Sequence, residues 1–177
     1  YEKAPMFTCF EPYFTELEGK TWGIIGLGNI GRKVAQIASV FGCRVIFYSA
    51  SGNNTTTDYE RVDFDTLLAQ SDIISLHCPL TDRTQHIMNA EAFAKMKTTA
   101  ILINVARGPV VDEQALYDAL TTGEIAAAGL DVLNKEPIAA DNPLAQIKDS
   151  TKLFITPHMA WGSNEARTRC AKEVYLN

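Results

Sequence analysis

Residues Thr21-Trp22-Gly23-Ile24-Ile25 run as an apolar strand straight into Gly26-Leu27-Gly28-Asn29-Ile30-Gly31, and the helical spacing of Val34, Ile37, Ala38 and Phe41 begins at once. A strand, a G-x-G-x-x-G turn and a helix in that order is what a dinucleotide site requires. Gly26 permits the tight turn, Gly28 lets the backbone come up against a pyrophosphate, and Gly31 lets the helix pack close to the strand, with free N–H groups aimed at the anion. The same glycines also suit a turn that merely packs. The strand before and the helix after favour the nucleotide site.

The next informative residue is a missing one. A second strand over residues 43–48 ends about 20 residues past the glycines, where an acidic side chain would hold the ribose 2′-hydroxyl of NAD. That position is Ser49, and the run Ser49-Ala50-Ser51-Gly52-Asn53-Asn54 carries no charge until Asp58. No carboxylate there repels the 2′-phosphate of NADP. The run also offers no Arg or Lys to attract it. The pocket is expected to admit NAD or NADP, with NADP or dual use slightly favoured.

Short apolar strands then alternate with helical segments, the pattern of a doubly wound parallel sheet of Rossmann type, covered on both faces. Residues 64–69 are expected to be helical, 73–76 a strand, 90–96 helical and 100–105 a strand. Asp112 caps a helix through Ala115, Leu116, Ala119 and Leu120 that Gly123 stops, and residues 126–132 and 153–156 supply the last two strands. The chain divides into an arm or linker over residues 1–20, a dinucleotide-binding domain over 21–162, and over 163–177 the start of a helix leading elsewhere. The absence of an initiating methionine and the helical pattern that stops at Leu176-Asn177 lead us to expect a fragment with parts missing on both sides.

With 177 residues, 46% of them apolar, the chain can bury a full core. A net charge of −5 gives no reason to expect nucleic acid or an anionic membrane as partner. No apolar run approaches the ~20 residues of a membrane span. Cys9, Cys43, Cys78 and Cys170 form no C-x-x-C pair, so reduced core thiols in a cytoplasmic protein are expected and a zinc site is not.

Ligands of open α/β sheets bind outside the carboxyl ends of the strands. Three polar groups are expected there: Arg107 in Asn104-Val105-Ala106-Arg107-Gly108-Pro109, Glu136 in Asp131-Val132-Leu133-Asn134-Lys135-Glu136-Pro137, and His158 in Thr156-Pro157-His158-Met159. Taken singly, Arg-Gly fits a salt-bridged turn, Glu-Pro an exposed linker, and His158 a cap for a helix starting near Ser163. Their joint placement at strand ends favours a site. His77 lies beside the nucleotide-lining segment, His86 fits a surface turn, and Trp161 fits either an active-site wall or the core.

The glycine turn, His77-Cys78-Pro79-Leu80-Thr81, the Arg107 segment, the Glu136 segment and Thr156-Pro157-His158 occur in the order found in the D-isomer-specific 2-hydroxyacid dehydrogenases, which this chain resembles from about Leu17 onward. Within that family it looks most like the glycerate dehydrogenases, also called hydroxypyruvate reductases. The resemblance implies hydride transfer between a nicotinamide cofactor and a small D-2-hydroxyacid or 2-oxoacid. By that resemblance His158 is the acid and base, Glu136 its partner, and Arg107 the holder of the substrate carboxylate. Histidine suits the task because its ordinary pKa of about 6.5 lies near the working pH.

By the same analogy Asp131 accepts from the nicotinamide carboxamide, and Asn29, Ile30, Cys78, Pro79, Thr84, Val105 and Ala106 line the rest of the cofactor. The family also carries a second, smaller substrate-binding domain, absent from this chain, so the isolated chain is expected to bind dinucleotide but turn over substrate poorly. A homodimer through the cofactor domain is expected, with the aromatic arm as one candidate contact. Two other classes are weighed: a corepressor-like protein of the same fold that senses dinucleotides, and a nucleotide-binding domain hydrolysing an adenosine thioether. The second leaves Arg107, Glu136 and His158 unexplained as a set.

Overall fold

The computed structural model describes residues 14–52 and 58–176. The first part of the arm, and Asn53 and Asn54, lie outside them. Seven parallel strands form one sheet in the order β3-β2-β1-β4-β5-β6-β7: β1 (Thr21–Ile25), β2 (Arg44–Tyr48), β3 (Glu60–Arg61), β4 (Ile73–Leu76), β5 (Ile101–Asn104), β6 (Ala127–Leu130) and β7 (Leu153–Ile155). The helices are α1 (Asn29–Val40), α2 (Phe64–Gln70), α3 (Ala90–Ala94), α4 (Glu113–Thr122) and α5 (Asn164–Leu176). The chain winds outward from β1 through β2 to β3 and then crosses back to β4. The reversal opens a crevice above the carboxyl ends of β1 and β4, where ligands of such sheets bind.

Side chains of a strand alternate between the two faces, and both faces of this sheet can be read from neighbouring residues. Ile25, Ile46, Ile74, Leu76 and Leu102 join the main core with Leu67 and Leu68 of α2, Phe93 of α3 and Leu116 and Leu120 of α4. Ile24, Val45 and Phe47 face the other way, into a smaller core with Ala35 and Ala38 of α1. The buried stripe of α1 is Gly31, Ala35 and Ala38, whereas Ile37 and Phe41, apolar members of the helical spacing, are each 58% exposed. Close approach of the helix to the sheet admits only small residues on the contact side.

Among the described residues, helices cover one face of the sheet and half of the other. Ile24, Ser75, Ile103, Gly129 and Phe154 are register partners in one row across the sheet, so they share the α1 side. There α1 shields β1 and β2, but Phe154 remains 63% exposed and α5 buries none of its residues. Strand β3 is also absent from the expected set. Its two residues are charged and exposed, so they carry no apolar signal.

The cap expected at Asp112 is present, and α2 and α3 are capped in the same way. Asp63, Asn89 and Asp112 each accept a backbone N–H of the next turn, an arrangement that typically contributes about 1 kcal/mol. Gly123 closes α4 in the left-handed region at φ 81°.

Candidate active site

The glycine turn forms one wall of a cleft of about 970 Å³ lined by Gly26, Gly28, Arg32, Ser49, Ala50, Ser51, His77, Cys78, Pro79 and Thr84, among others. Gly26 sits at φ 96°, and a Cβ on it would lie 2.7 Å from the Cys78 nitrogen. A Cβ on Gly31 would lie 2.3 Å from the Gly26 carbonyl oxygen. These two glycines are required by the protein itself. Gly28 is different, because a Cβ there would meet nothing within 4 Å. The open space beside Gly28, the cleft volume and the bare first turn of α1 together fit a dinucleotide laid with its pyrophosphate on the helix N-terminus.

Of the residues expected to bind cofactor, Gly26, Gly28, Ser49, Cys78, Pro79 and Thr84 meet in this cleft. Asn29, Ile30 and Gly31 form the first turn of α1, where their contribution is backbone, and the Ile30 side chain is 67% exposed. Thr84 is buried, and its hydroxyl donates to the Pro79 carbonyl at 2.7 Å, which braces the loop after β4. His77 makes a 3.1 Å bond to Ser75 Oγ, which also accepts from Trp22 Nε1 at 2.9 Å. Burial lowers the His77 pKa to about 4, so the ring is neutral at physiological pH. Burial likewise pushes the Cys78 thiol up to about 11.

Arg107, Glu136 and His158 follow β5, β6 and β7, which are adjacent in the sheet, so their loops emerge side by side. Behind Arg107, buried Asn104 accepts from the Ala106 N–H and donates to the Arg107 carbonyl, both at 3.0 Å. The guanidinium itself is exposed and donates from Nη1 to the Ala106 carbonyl at 2.7 Å. Val105 is half-buried and Ala106 buried in this same loop. Gly108 is fixed by space, since a Cβ there would fall 2.1 Å from the Leu133 carbonyl. That contact presses the Arg107 loop against the one carrying Glu136.

Glu136 Oε2 lies 2.7 Å from His158 Nδ1, and Oε1 accepts the Leu133 N–H at 2.9 Å. The Leu133 bond first, and then the bond to His158, hold the Glu136 carboxyl below its ordinary range. His158 has a left-handed backbone, φ 51°, which a non-glycine residue adopts at a cost of about 1–3 kcal/mol. Asp131 holds that turn: its carbonyl accepts the His158 N–H, and its carboxylate accepts the Thr156 hydroxyl and the N–H groups of Met159 and Ala160. Burial works to raise the Asp131 pKa, but the Thr156, Ala160 and Met159 bonds outweigh it and keep the group ionised.

A second, largely apolar cleft of about 490 Å³ opens beside Asp131, Glu136 and His158, walled by Leu133, Ile138 and Ile155. Sequence reasoning missed Arg32, Asn104 and the bracing role of Asp131. A charged residue just past the glycines and a polar residue ending an apolar strand are the signals that could have found the first two. Trp161 is 55% exposed, which excludes the core, and His86 occupies the expected exposed turn. His158 does not cap α5; the Ser163 hydroxyl accepts from the Ala166 N–H instead.

The family model "D-isomer specific 2-hydroxyacid dehydrogenase, NAD binding domain" matches residues 8–160. The chain belongs to this family. It is 48% identical over 166 residues to a hydroxypyruvate reductase of Blautia hydrogenotrophica, covering 91% of this chain and 50% of that protein. Among solved structures, an acyclic imino acid reductase in complex with NADPH and D-Arg superposes with a TM-score of 0.86 at 37% identity, covering 96% of this chain and 53% of that one. A D-lactate dehydrogenase from Aquifex aeolicus, complexed with NAD and lactic acid, gives 0.83 at 34% identity, with 90% and 52% covered. The chain thus spans about half the length of these relatives, and that half is the family's cofactor-binding domain.

Proposed function

We propose that this chain forms the cofactor half of a dehydrogenase that interconverts a small 2-oxoacid of the hydroxypyruvate or glyoxylate kind and its D-2-hydroxyacid. The observation that carries the reading is the 2.7 Å bond between His158 Nδ1 and Glu136, set on a turn that Asp131 fixes. With Nδ1 engaged, Nε2 is the ring atom presented to substrate. A bound nicotinamide dinucleotide supplies the hydride to the carbonyl carbon, or accepts it in the reverse direction.

The rest is work for the protein's own residues. His158 Nε2 gives its proton to the carbonyl oxygen during reduction and takes it back during oxidation. Glu136 fixes the ring orientation and tautomer through its bond to Nδ1. Arg107 spends one donor on Ala106, and its remaining N–H groups hold the substrate carboxylate in a planar two-pronged grip. Asp131 has three side-chain bonds inside the protein, so acceptance from a nicotinamide carboxamide, if made, uses its remaining lone-pair capacity. Residues 21–162 act as the cofactor domain, and α5 leads toward a substrate-binding domain whose closure completes the site. We further propose that the working protein is a cytoplasmic homodimer.

The test is reduction of hydroxypyruvate and glyoxylate by the full-length protein with NADH or NADPH, repeated with Arg107→Ala. Turnover of these acids, and a kcat/KM lowered at least about tenfold by the substitution, is expected from loss of a charge-assisted bidentate contact. Robust binding of dinucleotide with no 2-oxoacid turnover would favour a sensing role instead.

A further inference from the structure

The serine run after β2 offers hydroxyls without charge, yet the fold brings a cation to it from elsewhere in the chain. Arg32, on the first turn of α1, lines the same cleft as Ser49, Ala50 and Ser51. The segment folds into a tight turn in which the Gly52 N–H donates to the Ser49 carbonyl at 3.0 Å, and the two hydroxyl oxygens stand 3.5 Å apart. A second guanidinium flanks it, because Arg61 Nη2 lies 4.0 Å from where a Cβ on Gly52 would sit. The place that an NAD-selective site fills with a carboxylate therefore holds two hydroxyls in a cleft that Arg32 also lines, with Arg61 beside the neighbouring Gly52.

We propose that Arg32, with Ser49 and Ser51, forms a 2′-phosphate site that makes this chain prefer NADPH to NADH. The proposal deepens the reading of the cleft as a dinucleotide site and rests on it. A phosphate monoester is close to dianionic at neutral pH and presents three acceptor oxygens, which a guanidinium and two hydroxyl donors match. Asp58 is one competing partner: its Oδ2 lies 3.6 Å from Arg32 Nη1, with side chains 69% and 43% exposed, a screened pair that a phosphate can displace. The other charges on the cleft, Asp82 and Arg83, belong to the loop after β4. Because β2 and β4 flank β1 on opposite sides, that loop stands across the cleft from Ser49.

Calorimetric titration of the protein with NADPH and with NADH decides the matter. Wild-type protein is expected to bind NADPH about 10- to 150-fold more tightly, the range for a charge-assisted contact. Arg32→Gln should remove most of that margin while leaving NADH affinity within about threefold, and the retained NADH binding shows that the variant is folded. Arg83→Gln should leave the ratio of the two affinities unchanged. Asp58→Asn should tighten NADPH by roughly threefold, as expected from removing the charge of one partner of an exposed pair.

Equal or tighter NADH binding by the wild type would overturn the proposal, as would an Arg32→Gln variant that loses both cofactors equally, which would assign Arg32 to the pyrophosphate. In either case the dinucleotide reading would stand. Failure of the wild type to bind either cofactor would overturn both.

Discussion

Around β1, β2 and β4 the strand-end surface is shaped by a glycine turn, small residues and hydroxyls, with Arg32, Asp82 and Arg83 also lining it, whereas around β5, β6 and β7 it is shaped by charged side chains held by other side chains. The first region owes its form to where atoms are absent: Gly26 and Gly31 leave room for the turn, and Gly28 leaves room for a ligand. The second owes its form to bonds that must be made, with Asn104 bracing the Arg107 loop and Asp131 holding His158 in a costly conformation. One region should therefore fail through added bulk, the other through lost charge or lost hydrogen bonds.

The largest separation between the two should come from His158→Ala. Loss of a general acid lowers the catalytic rate by about 10²- to 10⁴-fold, and steady-state kinetics should show this with cofactor affinity intact. If NADH binding fell in step with the rate, the two regions would not be independent. Bulk in the first region should do the reverse. Gly31→Ala drives a methyl into the Gly26 carbonyl, and overpacking of this kind costs about 1–3 kcal/mol. Denaturant unfolding should reveal that loss together with weakened cofactor binding.

Acid should act on the first region through His77. Its folded pKa, about 4, lies below the ordinary imidazole value near 6.5, so the unfolded chain takes up a proton first. Stability is complete above pH 6.5 and falls as the pH drops toward 4, by on the order of 2–3 kcal/mol. His77→Gln should flatten that part of the pH–stability curve; an unaltered slope would assign the loss to other groups. The smallest expected effect is that of Gly28→Ala. Unfolding free energy should stay within about 0.5 kcal/mol, while NADH affinity falls by about tenfold as the Cβ enters the ligand's space. Unchanged NADH affinity would move the pyrophosphate away from Gly28.

The contrast also explains what could be read from the sequence. A glycine turn, strand alternation and helix caps are local patterns, so β1, α1 and the Asp112 cap of α4 stood where spacing put them. Strand β3 has two exposed charged residues and is a strand only because β2 offers it an edge. Ile37 and Phe41 follow a helical spacing, but tertiary packing buries Ala35 and Ala38 instead. Arg107, Glu136 and His158 were legible as residues at strand ends. Their bracing by Asn104 and Asp131, and the arrival of Arg32 beside Ser49, depend on contacts far apart in the chain.

The central claim is that Glu136 and His158 act as one pair, and kcat/KM for hydroxypyruvate reduction, measured beside NADH affinity in wild-type protein and Glu136→Gln, tests it most directly. In the proposed mechanism His158 Nε2 gives its proton to the carbonyl oxygen, while Glu136 holds the ring through its 2.7 Å bond to Nδ1. The amide keeps the shape of the side chain while removing its charge. The expected result is a kcat/KM lowered at least about tenfold with NADH affinity unchanged. An unchanged kcat/KM would show that Glu136 does not act with His158, and would contradict the account.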